Sequence, residues 1–190
     1  YGSYPNLLDI DGNEVSGVFS AAALAGQVAA ETDPSMPMTN VQLNGFYGVA
    51  NKLEDSEMDA LIVGGVIPLE ALGGNIFIVR AVSTYTKSPD GETDITWQEI
   101  TTTRISNYIF KHLRSRFRWN YARAKQTQET RDSIKSEVIS SLLAYQELDY
   151  IQNVDPSMDV SISISPINPL RNDVNFKYNV TGPLNVIHLT

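Results

Sequence analysis

The stretch RSRFRWNYARAK, residues 114–125, interleaves Phe117, Trp119 and Tyr121 with Arg114, Arg116, Arg118, Arg123 and Lys125. Two chemistries fit such a pattern. One is a groove for single-stranded nucleic acid, in which cations follow the phosphates and rings stack on bases. The other is a cationic face that meets an acidic surface on a protein partner. A third reading carries no chemistry: a solvated helix face whose rings turn into the core. With Arg104 and Lys111, the window 104–125 holds seven basic residues and no acid.

Other residue groups lead to structural readings. Asp9-Ile10-Asp11-Gly12-Asn13-Glu14 starts like a calcium loop, but such a loop needs Gly at its sixth position and Glu at its twelfth. Those positions hold Glu14 and Ser20, so a solvated turn is expected. Gly64-Gly65 and Gly73-Gly74 lack the Lys-Ser/Thr that completes a phosphate loop, and read as turn glycines. The two histidines, His112 and His188, stand without a GxSxG or HExxH context, which suits structural roles. Glu54, Asp55, Glu57 and Asp59 gather at a helix start, where carboxylates complement the helix dipole. Asn179-Val180-Thr181 matches a glycosylation sequon and is read as a chance match. The chain has no cysteine, which excludes a disulfide framework, a thiolate metal site and a thiol nucleophile, and fits a reducing compartment. The expectation is a protein without catalytic, cofactor or metal residues.

The elements that would position the basic stretch follow from periodicity. Ile105, Tyr108, Ile109, Leu113 and Phe117 form a helical stripe from about Thr102, with Lys111, Arg114 and Arg118 opposite. A second amphipathic helix is expected from Gln128 to Leu148, with Ile134, Val138, Leu142 and Tyr145 on one side. Upstream, Ser16 caps a small-residue helix over 17–31 that should be buried on two sides. Val41 to Val49 holds a short strand broken by Gly45 and Gly48. Ser56 and Asp59 suggest a capping box for a helix to Val63. Val66–Leu72 and Ile76–Thr84 read as a hairpin closed by Gly73-Gly74. Downstream, Val160–Ile164 and Val174–Val180 alternate apolar with polar residues and should pair antiparallel. Leu184–Thr190 is strand-like again and has no evident partner. Gly182-Pro183 separates it from the strand before.

Charge is segregated. Residues 1–103 carry three cations against fourteen acids, which leaves −11 of a chain whose net charge is −8. The longest apolar-leaning run, Val18–Ala30, is too short to span a membrane. The acids Asp9, Asp11 and Glu14 before it are the reverse of a secretion signal. The chain begins at Tyr1 rather than Met, so an upstream part is expected.

The order of these features resembles the C-terminal half of the tail sheath proteins of contractile bacteriophages and related injection machines. The residues that carry the resemblance are the small-residue helix SAAALAGQVAA and the segments MTNVQLNGFYGV, LEDSEMDALIVGGVIPL and GNIFIVRAVSTYT. They are followed by helices near TTRISNYI and SLLAYQELDYI and by the terminal GPLNVIHLT. The strand over Arg80–Thr84 lacks the aromatic-Gly that precedes Arg in many members. The resemblance implies an α+β fold, a mixed sheet packed with amphipathic helices, and an extended C-terminal strand that augments a sheet in a neighbouring subunit. It implies a non-enzymatic subunit of hexameric rings stacked around a tail tube, which contracts to drive the tube through a host envelope. Its partners would be further copies of the chain, the tube protein, and the baseplate and tail terminator at the ends. There would be no membrane insertion and no specific nucleic acid. Its place would be the virion tail, assembled in the cytoplasm of the bacterial host. The expected organisation is 1–40 as the end of an upstream domain, 41–181 as the sheath C-terminal domain and 182–190 as the arm. Leu184, Asn185, Val186, Ile187, His188 and Leu189 would form the arm strand, and Gly182 and Pro183 its hinge. Arg104, Lys111, Arg114, Arg116, Arg118, Arg123 and Lys125 would form a contact patch. A nucleic-acid-binding module built on 104–125 is the alternative.

Overall fold

The computed structural model describes residues 2–184. The chain divides between Thr103 and Arg104 into two compact units, with 182–184 counted with the first. Both helices and short strands contribute to each, so the α+β expectation is met.

The first unit is built on a four-stranded mixed sheet. In chain order it holds β1 (Ser3–Tyr4), β2 (Leu7–Leu8), α1 (Gly17–Ala30), β3 (Gln42–Leu43), β4 (Gly48–Val49), α2 (Asp55–Val63), β5 (Ile67–Leu72) and β6 (Asn75–Ile78). The sheet order is β1-β5-β6-β3, with β1 parallel to β5 and the other neighbours antiparallel. β2 and β4 pair separately. Leu7, Leu24, Leu43, Ile67, Leu69, Ile76, Ile78 and Val82 are fully buried and form the core.

Several elements depart from the sequence expectation for local reasons. Ser16 caps α1, its Oγ accepting from the Val18 N–H at 3.4 Å, but only Ser20 and Leu24 of that helix are buried. One face is therefore open rather than both being covered. The cap of α2 is Glu54, not Ser56. The Glu57 carboxylate accepts from the Glu54 N–H at 2.9 Å, and Leu53 and Met58, at the staple positions flanking the cap, are both buried. That buried pair starts the helix earlier than Ser56 would. The β5–β6 hairpin closes on Gly73 (φ 58°) and Gly74 (φ 83°), two left-handed residues in succession, as a type I′ turn demands. β6 ends at Ile78, short of Thr84. The Pro68 carbonyl accepts from the Val79 N–H at 3.0 Å, but proline has no N–H to return and the ladder stops. Arg80 then pairs with Glu99.

α3 (Ile100–Tyr121) starts two residues before the expected Thr102, and its first turn belongs to the first unit. The second unit contains the rest of α3, then α4 (Gln128–Glu147), β7 (Ile151–Gln152), β8 (Val160–Ile164), β9 (Asn172–Phe176) and β10 (Asn179–Val180). Thr127 caps α4, its Oγ1 accepting from the Thr130 N–H at 3.2 Å. The core joins Ile105, Ile109 and Leu113 of α3 with Val138, Leu142 and Tyr145 of α4, and with Ile151 and Val160. β8 and β9 pair antiparallel as expected, Ile162 opposite Val174. The strand expected to run on to Val180 instead changes partner. After Phe176 it leaves β8, and Asn179-Val180 pairs with Gln152-Ile151.

Candidate functional site

α3 sorts the residues of the basic window by face. Ile105, Ile109 and Leu113 point into the second core. Phe117 and Tyr121 are half-buried beside it, their rings 6.0 Å apart and edge-on. Trp119 is 83 % exposed. Of the three rings that could make a stacking platform, one faces solvent, which weakens the nucleic-acid reading, since such grooves stack successive bases on several rings.

The cations divide in the same way. Arg116 pairs with Glu137 of α4, Nε to Oε1 at 2.9 Å. Asn120 Nδ2 donates to the same oxygen at 2.9 Å. Burial pushes the Tyr121 hydroxyl up to about 12, and its hydrogen bond to Glu137 adds to the shift. Glu137, with a side chain 10 % exposed, thus gathers three groups of α3. The sequence reading did not single it out. Its signal was an acid three residues past Ile134, inside the apolar stripe of α4. Arg104 is half-buried and engaged.

Lys111, Arg114 and Arg118 lie on the opposite, exposed face. Arg114, Ser115, Arg118, Trp119 and Ala122 line one shallow groove there. Arg123 and Lys125 follow in the exposed turn before α4. The structure therefore brings together Arg114 and Arg118 from the expected patch and ties Arg116, itself exposed, to Glu137 of α4 instead.

His112 has a structural setting. Its Nδ1 meets the Tyr145 hydroxyl, among the rings of Tyr108 and Tyr150. Burial, reinforced by Tyr108, pushes the Tyr145 hydroxyl up to about 12. In the Asp9 turn, the carboxylate accepts from the backbone N–H groups of Asp11 at 2.9 Å and Asn13 at 2.8 Å. The bond from Asn13 is the main cause holding Asp9 below the usual carboxylate range. Its oxygens are turned onto its own loop. Among the described residues no cluster of three or more acids and histidines could hold a metal ion, and no helix is long and apolar enough to cross a membrane.

At the C-terminal end, the Thr181 N–H donates to the Tyr150 carbonyl at 3.1 Å, the last backbone hydrogen bond to the second unit among the described residues. A Cβ added at Gly182 would meet no described residue within 4 Å, and Leu184 is 75 % exposed. Asn185, Val186, Ile187, His188 and Leu189 lie outside the described residues.

Comparison with known proteins places this architecture. Residues 92–190 match the phage tail sheath C-terminal domain, and the chain belongs to that family. The fold is similar to that of a sheath tail protein from Listeria innocua (TM-score 0.80, 17% identity, 95% of this chain and 42% of that one). It is also similar to a sheath tail protein from Desulfitobacterium hafniense (TM-score 0.70, 15% identity, 94% and 44%). A third likeness is to the helical sheath of the anti-feeding prophage in its contracted state (TM-score 0.71, 13% identity, 99% and 54%). The chain thus spans about half the length of the solved proteins it matches. No curated protein matches it by sequence.

Proposed function

We propose that the chain is a structural, non-enzymatic subunit of a contractile tail sheath. Copies stack as hexameric rings around a tail tube and contract to drive it through a host envelope. The observation that carries this reading is the sheath-domain match over 92–190 together with a sheath fold over nearly the whole chain. Contraction is then a switch between two packings of the same subunit. Neighbouring copies and the tube protein are the lateral partners, with the baseplate and terminator at the ends, in the tail of a virion or related particle. Residues 182–190 act as an arm whose strand joins a sheet in the next subunit, where main-chain hydrogen bonds give directional contact. The exposed cations of α3 supply a contact face.

Negative-stain microscopy of the purified protein tests this, alone and with the tube protein of the same particle. Rings or cross-striated tubes are expected. A protein that stays monomeric at high concentration and ignores the tube would overturn it.

A further inference from the structure

The charge boundary of the sequence coincides with the boundary between the two units, at Thr103/Arg104. The acid excess belongs to the first unit and the basic window opens the second. On the second unit, Arg114 and Arg118 stand one helical turn apart on the exposed face of α3, followed at the same step by Ala122 in the same groove, beside exposed Trp119. On the first unit, α2 presents a row of matching step. Asp55 and Asp59 are exposed one turn apart, and Val63, one turn further, is 73 % exposed. Each row advances about 6 Å per step along its axis. One reads base, base, apolar and the other acid, acid, apolar, in the same chain direction. Among the described residues, none of these four charged side chains has an ion-pair or hydrogen-bond partner through its charged group.

We infer that the α3 groove receives the α2 row of a second copy of this chain, Asp55 against Arg114, Asp59 against Arg118, and Val63 against Ala122 and Trp119. On the sheath reading the contact repeats head-to-tail, the first unit of one copy meeting the second unit of the next. Such a contact propagates into rings or helices instead of closing as a two-fold dimer. The pairs lie at the surface and are screened by salt, so they set register and orientation more than affinity. The inference rests on the sheath reading, since it needs a protein that meets its own copies, and it names which surfaces meet.

The absence of cysteine makes the test clean. Val63→Cys and Ala122→Cys are made as separate single variants, mixed, and oxidised mildly at low salt. A mixed disulfide dimer should form at several times the yield of either same-variant dimer, and of a Ser133→Cys control at an exposed α4 position. Adding Arg114→Glu and Arg118→Glu to the Ala122→Cys chain should reduce that yield several-fold. Adding Asp55→Lys and Asp59→Lys to the Val63→Cys chain should then restore it. All are exposed positions, and an unchanged far-UV spectrum confirms that each variant folds. No excess of the mixed dimer, or no restoration by the swapped pair, overturns the inference. Tubes that form without the cross-link would sink this interface and leave the sheath reading intact. A specific cross-link in a protein that never forms tubes would do the reverse.

Discussion

Glu137 shows how one residue decides what a cationic helix offers its surroundings. By holding Arg116 and Asn120 and accepting from Tyr121, it ties one side of α3 to α4 and leaves Arg114 and Arg118 open to solvent. Tyr121 and Tyr145 mark the same interior, and the hydroxyls of both are pushed up to about 12, chiefly by burial. An unfolded phenol titrates near 10. The fold therefore favours the neutral ring, and the stability gained is fully present below about pH 10 and lost as pH rises from there towards 12. Thermal melts between pH 9 and pH 11.5 should show a falling Tm. In a Tyr121→Phe/Tyr145→Phe variant the fall should be shallower, even though its baseline is lower. A pH slope equal to that of the wild type would remove both tyrosines from the explanation. None of this was legible in the sequence, because Arg116 and Glu137 lie 21 residues apart and the basic window looks uniform until one partner removes a cation from it.

At the scale of elements, legibility follows locality. The stripe of α3 and the alternation of Val160–Ile164 were readable because each repeats over several residues of one element. The strands β1, β2, β3, β4, β7 and β10 have two residues each, too few to show a period. The change of partner after Phe176 was equally hidden, since β10 finds β7 across both β8 and β9. The β5–β6 hairpin was readable because Gly73-Gly74 is itself the turn signal. It also makes a sharp demand: φ is 58° at Gly73, with nothing within 4 Å of an added Cβ. The obstacle to a side chain there is backbone conformation alone. Gly73→Val should lower the stability of the first unit by about 1–2 kcal/mol, while Gly73→Asn, a residue that tolerates this region, should change it little. Urea unfolding of both variants checks this, and equal losses would mean that crowding rather than backbone geometry sets the limit.

At the scale of the whole molecule, the proposed sheath role requires a chain that stays attached to its neighbours while the packing between them changes. Contacts between rigid faces, such as a charged helix row, break when subunits rotate. A strand donated through a bending linker keeps its main-chain hydrogen bonds, because the receiving sheet moves with it. The described end of the chain has the features this requires. Thr181 makes the last backbone tie, to Tyr150. Gly182 follows, where an added Cβ would meet no described residue within 4 Å, and then Pro183, whose fixed φ and missing N–H keep it out of a sheet interior. Leu184 is exposed beyond it. Among the described residues, those that form the two cores lie upstream of that point. Deleting 184–190 should therefore leave both units folded, with a thermal midpoint within about 2 °C of the full chain, as expected of a change of a few tenths of a kcal/mol. The same deletion should abolish rings and tubes, and a separately supplied peptide of the deleted sequence should not restore them, since a free strand occupies the receiving sheet without linking two subunits. A truncated protein that melts far lower would place the segment in its own fold, and one that still forms normal tubes would leave the arm without a role in holding the sheath together.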